Sequence, residues 1–159
     1  MAEANMTYVK IRNAMLAGFC GSLAHTLLML LKNAAGVLPR FQPYDDLQRV
    51  LSVLTGAQIH PAAAWALTFV NGAVIFGFVF GKIYRFIPGR TPARKGVVFG
   101  LCAWAAMGLV FFPLAGRGVF ALGLGLGFLG LAPAALMLVM LLAYSVTMSL
   151  AYHRLNERS

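Results

Sequence analysis

Residues 11–33 read IRNAMLAGFCGSLAHTLLMLLKN. An α-helix rises about 1.5 Å per residue, so about 20 mainly apolar residues are needed to cross about 30 Å of hydrocarbon. This stretch is long enough, and Gly36 and Pro39 follow it in the order that usually ends a helix. Three further stretches repeat the pattern. The second is 61–84, opened by Pro61, whose missing N–H costs nothing in a first helical turn. The third is 93–112, stopping near Pro113, and the fourth is 133–152. The expected fold is an all-α integral membrane protein, with four transmembrane helices in an up-down bundle and a single membrane domain over 1–159.

Composition agrees with this reading. The chain is 60% hydrophobic and 11% charged, with mean hydropathy +0.80, whereas a soluble domain carries about 25% charge. The net charge of +9 does not point to nucleic acid, because such a partner needs Lys and Arg on one continuous solvated face. Here they sit in short clusters between apolar runs. Cys20 and Cys102 lie inside apolar stretches and read as small buried hydrophobes. Lys10 and Arg12 before the first run, with Asn33-Ala34-Ala35 after it, have the outline of a secretory signal. The length of the run, His25 within it and Lys32 beside the would-be cleavage point instead make it an uncleaved span.

The connections differ in character. Leu47, Val50, Leu51 and Leu54 recur at helical spacing with Asp45, Gln48, Arg49 and Ser52 between them, so 44–55 reads as a short amphipathic helix lying in the interface. Asp45 and Asp46 favour its N-terminus through the helix dipole, and Gly56 can end it. Residues 116–130 are apolar but dense in glycine, whose backbone entropy disfavours a spanning helix, so an interfacial segment is expected there. Lys10, Arg12, Lys82, Arg85, Arg90, Arg94, Lys95, Arg154 and Arg158 belong to one side of these spans. Lys32, Arg40, Arg49 and Arg117 belong to the other. The positive-inside rule then puts both termini in the cytoplasm.

In lipid no hydrophobic effect drives helix onto helix, so association rests on close packing and on polar side chains that find partners. Gly77 with Gly81 and Gly96 with Gly100 have the G-x-x-x-G spacing and are expected to meet as an antiparallel pair. Counting from the helix ends, Ser22, His25, Asn71, Trp104, Tyr144 and Ser145 fall near the middle of the membrane. There they form a candidate polar cluster, because an unpaired imidazole or amide facing lipid is costly. Within it His25 is either a ligand, proton carrier or substrate contact, or one member of a packing network of hydrogen bonds.

Other chemistry finds little support. His25, His60 and His153 lie at three different depths, so no pair suits a haem, and no Cys-His or carboxylate constellation suggests a metal. Gly125-Leu126-Gly127-Phe128-Leu129-Gly130 spells G-x-G-x-x-G without a βαβ unit around it. No carboxylate falls inside a span. Neither cofactor nor metal is expected, and the chain is not expected to be an enzyme.

Three blocks carry a resemblance: Gly18-x-x-Gly21 with Thr26 to Met29, then Arg94-Lys95-Gly96-Val97-Val98-Phe99-Gly100-Leu101-Cys102-Ala103-Trp104, then Phe112-Pro113-Leu114-Ala115-Gly116-Arg117-Gly118-Val119-Phe120. They resemble a family of small bacterial inner-membrane proteins of unknown function, with a looser likeness to the YagU-type proteins. The resemblance implies a four-helix protein of the inner membrane and brings no reaction. The chain departs from it at Leu142-Ala143-Tyr144-Ser145, where many relatives have a histidine followed by Tyr-Gly. Two functions follow as expectations. The first is a structural or accessory subunit packed in the bilayer against other membrane subunits or itself. The second is a small transporter or channel with a polar path around His25.

Overall fold

The computed structural model describes residues 2–39, 41–124 and 131–157, and their side chains from Tyr8 onward apart from Leu124. Five main helices are present: α1 (Ala2–Ala34), α2 (Pro43–Thr55), α3 (Pro61–Ile83), α4 (Pro92–Leu114) and α5 (Leu131–Glu157). Among the described residues there is no strand. Four of these helices contain segments long and apolar enough to cross a membrane: Tyr8–Ala34 in α1, and the whole of α3, α4 and α5.

Local sequence sets the boundaries. The Thr91 side chain accepts from the Arg94 N–H and caps α4, and His60 Nδ1 does the same for Ala62 at the start of α3. Gly56, with φ 67°, closes α2 in the left-handed conformation that glycine adopts without a Cβ penalty. Proline starts α2, α3 and α4 but does not stop α4, which runs through Pro113. A proline in a helix has no N–H to donate and crowds the carbonyl one turn back. The five residues Met107–Phe111 ahead of it are wound as a wider π turn, which relieves that crowding. The fourth span also outruns the expected 133–152, because Pro133 sits within the first turn of α5 and is tolerated there.

Two antiparallel contacts organise the described helices. On α1 and α5, Asn13 Nδ2 donates to the Leu155 carbonyl at 3.2 Å, Gly21 lies against the Tyr144 ring, and Met29 and Met140 share a core. On α4 and α5, Ser149 donates to the Pro92 carbonyl at 2.6 Å, Gly96 lies on Ser145 and Val146, and Trp104 Nε1 donates to the Ala134 carbonyl at 2.9 Å. α3 packs on α1 as well, with Gly77 against Ala14 and Gly18. Aromatic rings from Phe76, Phe80, Tyr84, Phe99 and Tyr152 fill the space between α3, α4 and α5 at one end.

The two glycine pairs therefore do not meet each other. Gly77 and Gly81 are turned to α1, where a Cβ on Gly77 would come 2.6 Å from the Ala14 carbonyl oxygen. Gly96 and Gly100 are turned to α5. Each pair serves a different neighbour, and α3 meets α4 through aromatic rings instead.

The short helix α2 forms, but its covered surface differs from the expected leucine stripe. Tyr44 and Asp46 are buried, Leu47, Val50 and Leu51 of that stripe are half-buried, and Leu54 at its end is 76% exposed. In the 116–130 connection, Gly116 and Gly118 take left-handed turns, and Val119–Leu124 is a kinked run of turns in which Phe120 and Ala121 also have positive φ, 52° and 61°. The Phe120 ring lies over the Cα of Gly108 and tilts on Trp104 with centroids 4.5 Å apart. The G-x-G-x-x-G stretch lies outside the described residues.

A Gly96→Leu variant should lose folded stability by about 1–3 kcal/mol, the range for forced overpacking, because its Cβ would meet the Val146 Cα at 2.7 Å and the Ser145 carbonyl oxygen at 2.8 Å. Val97→Leu on the exposed side of the same helix should stay within about 0.5 kcal/mol of the parent. Thermal melting of the purified protein in detergent compares the two.

Candidate functional site

The six polar residues expected at mid-depth do not form one cluster. Tyr144 donates its hydroxyl hydrogen to the Gly72 carbonyl at 2.6 Å, and Ser22 faces Gly72 where a larger residue would collide with its hydroxyl. Gly72 belongs to a π turn, Asn71–Phe76, and its carbonyl also accepts from the Gly77 N–H. The widened turn presents one carbonyl to two donors, and α1, α3 and α5 are held together there. Ser145 lies on the far side of α5, fully buried against Gly96 and Gly100. The Ser22 and Ser145 hydroxyls have no hydrogen-bond partner among the described residues, so both fill space that the facing glycines leave open. Trp104 is committed to the Ala134 carbonyl, and Asn71 is half-buried at the start of the wide turn.

His25 belongs to a different group, under α2. Its Nδ1 lies 3.3 Å from the Tyr44 hydroxyl, and the Tyr44 ring stacks on Trp65 with centroids 4.1 Å apart and planes 19° apart. Burial raises the Tyr44 phenol above the usual tyrosine range, with a hydrogen bond to Thr26 acting the other way. The histidine thus meets a cap residue that sequence reasoning did not connect to it. Neither of two surface grooves, one at the Lys10 end and one on the outer face of α1 and α3, is lined by His25, Asn71, Ser145 or Trp104.

The strongest electrostatic feature went unread in the sequence. Asp46 is 2% exposed and its Oδ1 accepts from Arg117 Nε at 2.9 Å and Nη2 at 2.6 Å, with Arg49 at 3.7 Å. The aspartate does more than favour a helix start: it ties α2 to the connection between α4 and α5. Beside it Lys32 is buried and donates to the Phe41 carbonyl at 2.5 Å and to Asn33 Oδ1 at 3.1 Å. One signal for the pair was available. Charges are scarce on this side of the chain, and scarce opposite charges next to hydrocarbon find each other.

Among the described residues no group of His, Cys, Asp and Glu could hold a metal ion, and both cysteines are free thiols. The arrangement joins helices and caps one end of the bundle. A family described as a family of unknown function (DUF6789) matches residues 8–159. No curated protein and no solved structure matches the chain.

Removing Asp46 takes two charge-assisted hydrogen bonds from a partly exposed Arg117, at a cost of about 1.5–3 kcal/mol. Asp46→Ala should show that loss in thermal melts, and Asp46→Leu with Arg117→Met should recover most of it. For Tyr44 the pH sign is set by a raised folded pKa: the folded state holds the proton more tightly, so the stabilisation is complete below about pH 10 and fades above it. Tyr44→Phe should be less stable than the parent by about 1 kcal/mol at neutral pH. The gap should close in melts taken above about pH 10.

Proposed function

The chain belongs to the family of unknown function DUF6789, and from that premise we propose that it is a non-catalytic integral membrane protein acting as a structural or accessory subunit. Its four apolar helices cross the bilayer as an up-down bundle. The basic end, with both termini, faces the cytoplasm of a bacterial inner membrane, and α2 caps the opposite face. It packs against a larger membrane complex or against copies of itself.

One observation carries this reading: four of the six polar residues expected at mid-depth are spent on helix contacts. Tyr144 bonds the Gly72 carbonyl, Trp104 bonds the Ala134 carbonyl, and Ser22 and Ser145 fill the notches of facing glycines. The outward surface is apolar along the spans, with Leu27, Leu31 and Val70 each more than half exposed. In water such a surface invites association. In a bilayer it is the surface that lipid or a neighbouring helix covers.

Extraction in a mild detergent followed by mass determination tests the subunit role. The expected particle is heavier than one 17.1 kDa chain after detergent is subtracted, either by a multiple of that mass or by a co-purifying chain. A lone monomer across several mild detergents would sink the proposal.

A further inference from the structure

The basic end of the bundle holds a groove of about 480 Å³ between the start of α1 and the ends of α3 and α5. Lys10, Lys82, Arg85 and His153 line it, with Tyr152 and Asn156 between them. Lys10, Lys82 and Arg85 are exposed, and none of them forms an ion pair with a described carboxylate. Glu157, the nearby acid, is engaged at 3.1 Å by His153. Lys82 and Arg85 instead rest over the rings of Phe78 and Phe86, at 5.5 Å and 4.5 Å from the centroids. Lys82 and Arg85 are thus supported on aromatic rings, and with Lys10 they have no described carboxylate paired to them, where an anion can reach them.

The groove also has an apolar continuation. Ile11 lines it and lines a second groove of about 390 Å³ on the outer face of α1 and α3, whose walls include Met15, Phe19 and Val74. A ligand suited to both parts has a negatively charged head and a hydrocarbon tail. A basic recess between helices at the cytoplasmic end of a membrane protein, next to the anionic leaflet, has the electrostatics for a phospholipid headgroup. We propose that this groove binds an anionic phospholipid, its phosphate held by Lys10, Lys82 and Arg85 and an acyl chain lying along Ile11 toward Val74. The site rests on the membrane reading above, and it adds a ligand that reading does not require.

The test is native mass spectrometry of the full chain in detergent, titrated with phosphatidylglycerol or phosphatidylcholine. Phosphatidylglycerol should be retained on the order of 10-fold better, and Lys82→Gln with Arg85→Gln should weaken it by about 5-fold per charge removed. Lys10→Gln is an independent variant should the double one fail to fold. Arg90→Gln, a change at an exposed cation of the same end that does not line the groove, should leave retention unchanged.

Equal retention of the two lipids, or equal loss in Arg90→Gln, overturns the site. Displacement of phosphatidylglycerol by millimolar inorganic phosphate would make it a free-phosphate site and overturn the lipid assignment. The two proposals fail separately. A chain that stays dispersed in buffer without detergent overturns membrane insertion, whereas one that needs detergent but shows no lipid preference overturns only the groove.

Discussion

Gly18 of α1 and Gly77 of α3 bring two helix backbones into direct contact, with no side chain from either residue between them. Gly21 against Tyr144 and Gly96 against Ser145 and Val146 do the same for α5 with its two neighbours. Where the surroundings are hydrocarbon, burying a leucine between helices gains little over leaving it in lipid, and the stabilisation comes from dispersion at close range and from bonds to backbone carbonyls. The rest of the bundle depends on that proximity. The Tyr144 hydroxyl reaches the Gly72 carbonyl because the helices are already close, and each bond of this kind is worth only about 0.6 kcal/mol.

The two ends of the molecule then solve different electrostatic problems. At the α2 end few charges occur, and Asp46 and Lys32, the ones taken inside, are satisfied by Arg117, by Asn33 and by the Phe41 carbonyl. At the opposite end cations are abundant and carboxylates few. Lys95 donates to the Tyr84 carbonyl at 2.7 Å and lies over the Tyr84 ring, while Lys10, Lys82 and Arg85 are left without acidic partners among the described residues. One end is neutralised from within, and the other presents its charge outward.

The helices were legible because length and hydropathy are local properties, and so was α2, whose spacing and flanking Asp45 and Gly56 mark it out. Their partners were less so. Gly77-x-x-x-Gly81 announces a close approach but not to which helix, since the motif describes one face and says nothing of what meets it. Depth counting put Ser22, Asn71 and Tyr144 at one level, and the structure brings Ser22 and Tyr144 together at Gly72, the residue after Asn71. The same counting could not tell that Ser145, the next residue after Tyr144, turns to α4, because consecutive residues on a helix point about 100° apart. Asp46 and Arg117 lie 71 residues apart: scarcity of charge on this side suggests that an aspartate finds a cation, but local pattern does not say which one.

The wide turn at Asn71–Phe76 has a consequence for how the chain can change. A π turn holds an extra residue relative to α-helical winding, so it resets the phase between the part of α3 before it and the part after it. Before the turn, Trp65 faces Tyr44 of α2; after it, Gly77 and Gly81 face α1. Loss of a single residue here would let the helix wind regularly and rotate one half against the other by about 100°. Either the cap or the glycine seam would then lose its partner. Apart from Gly72, which faces Ser22, residue identity within the turn is less constrained than residue number.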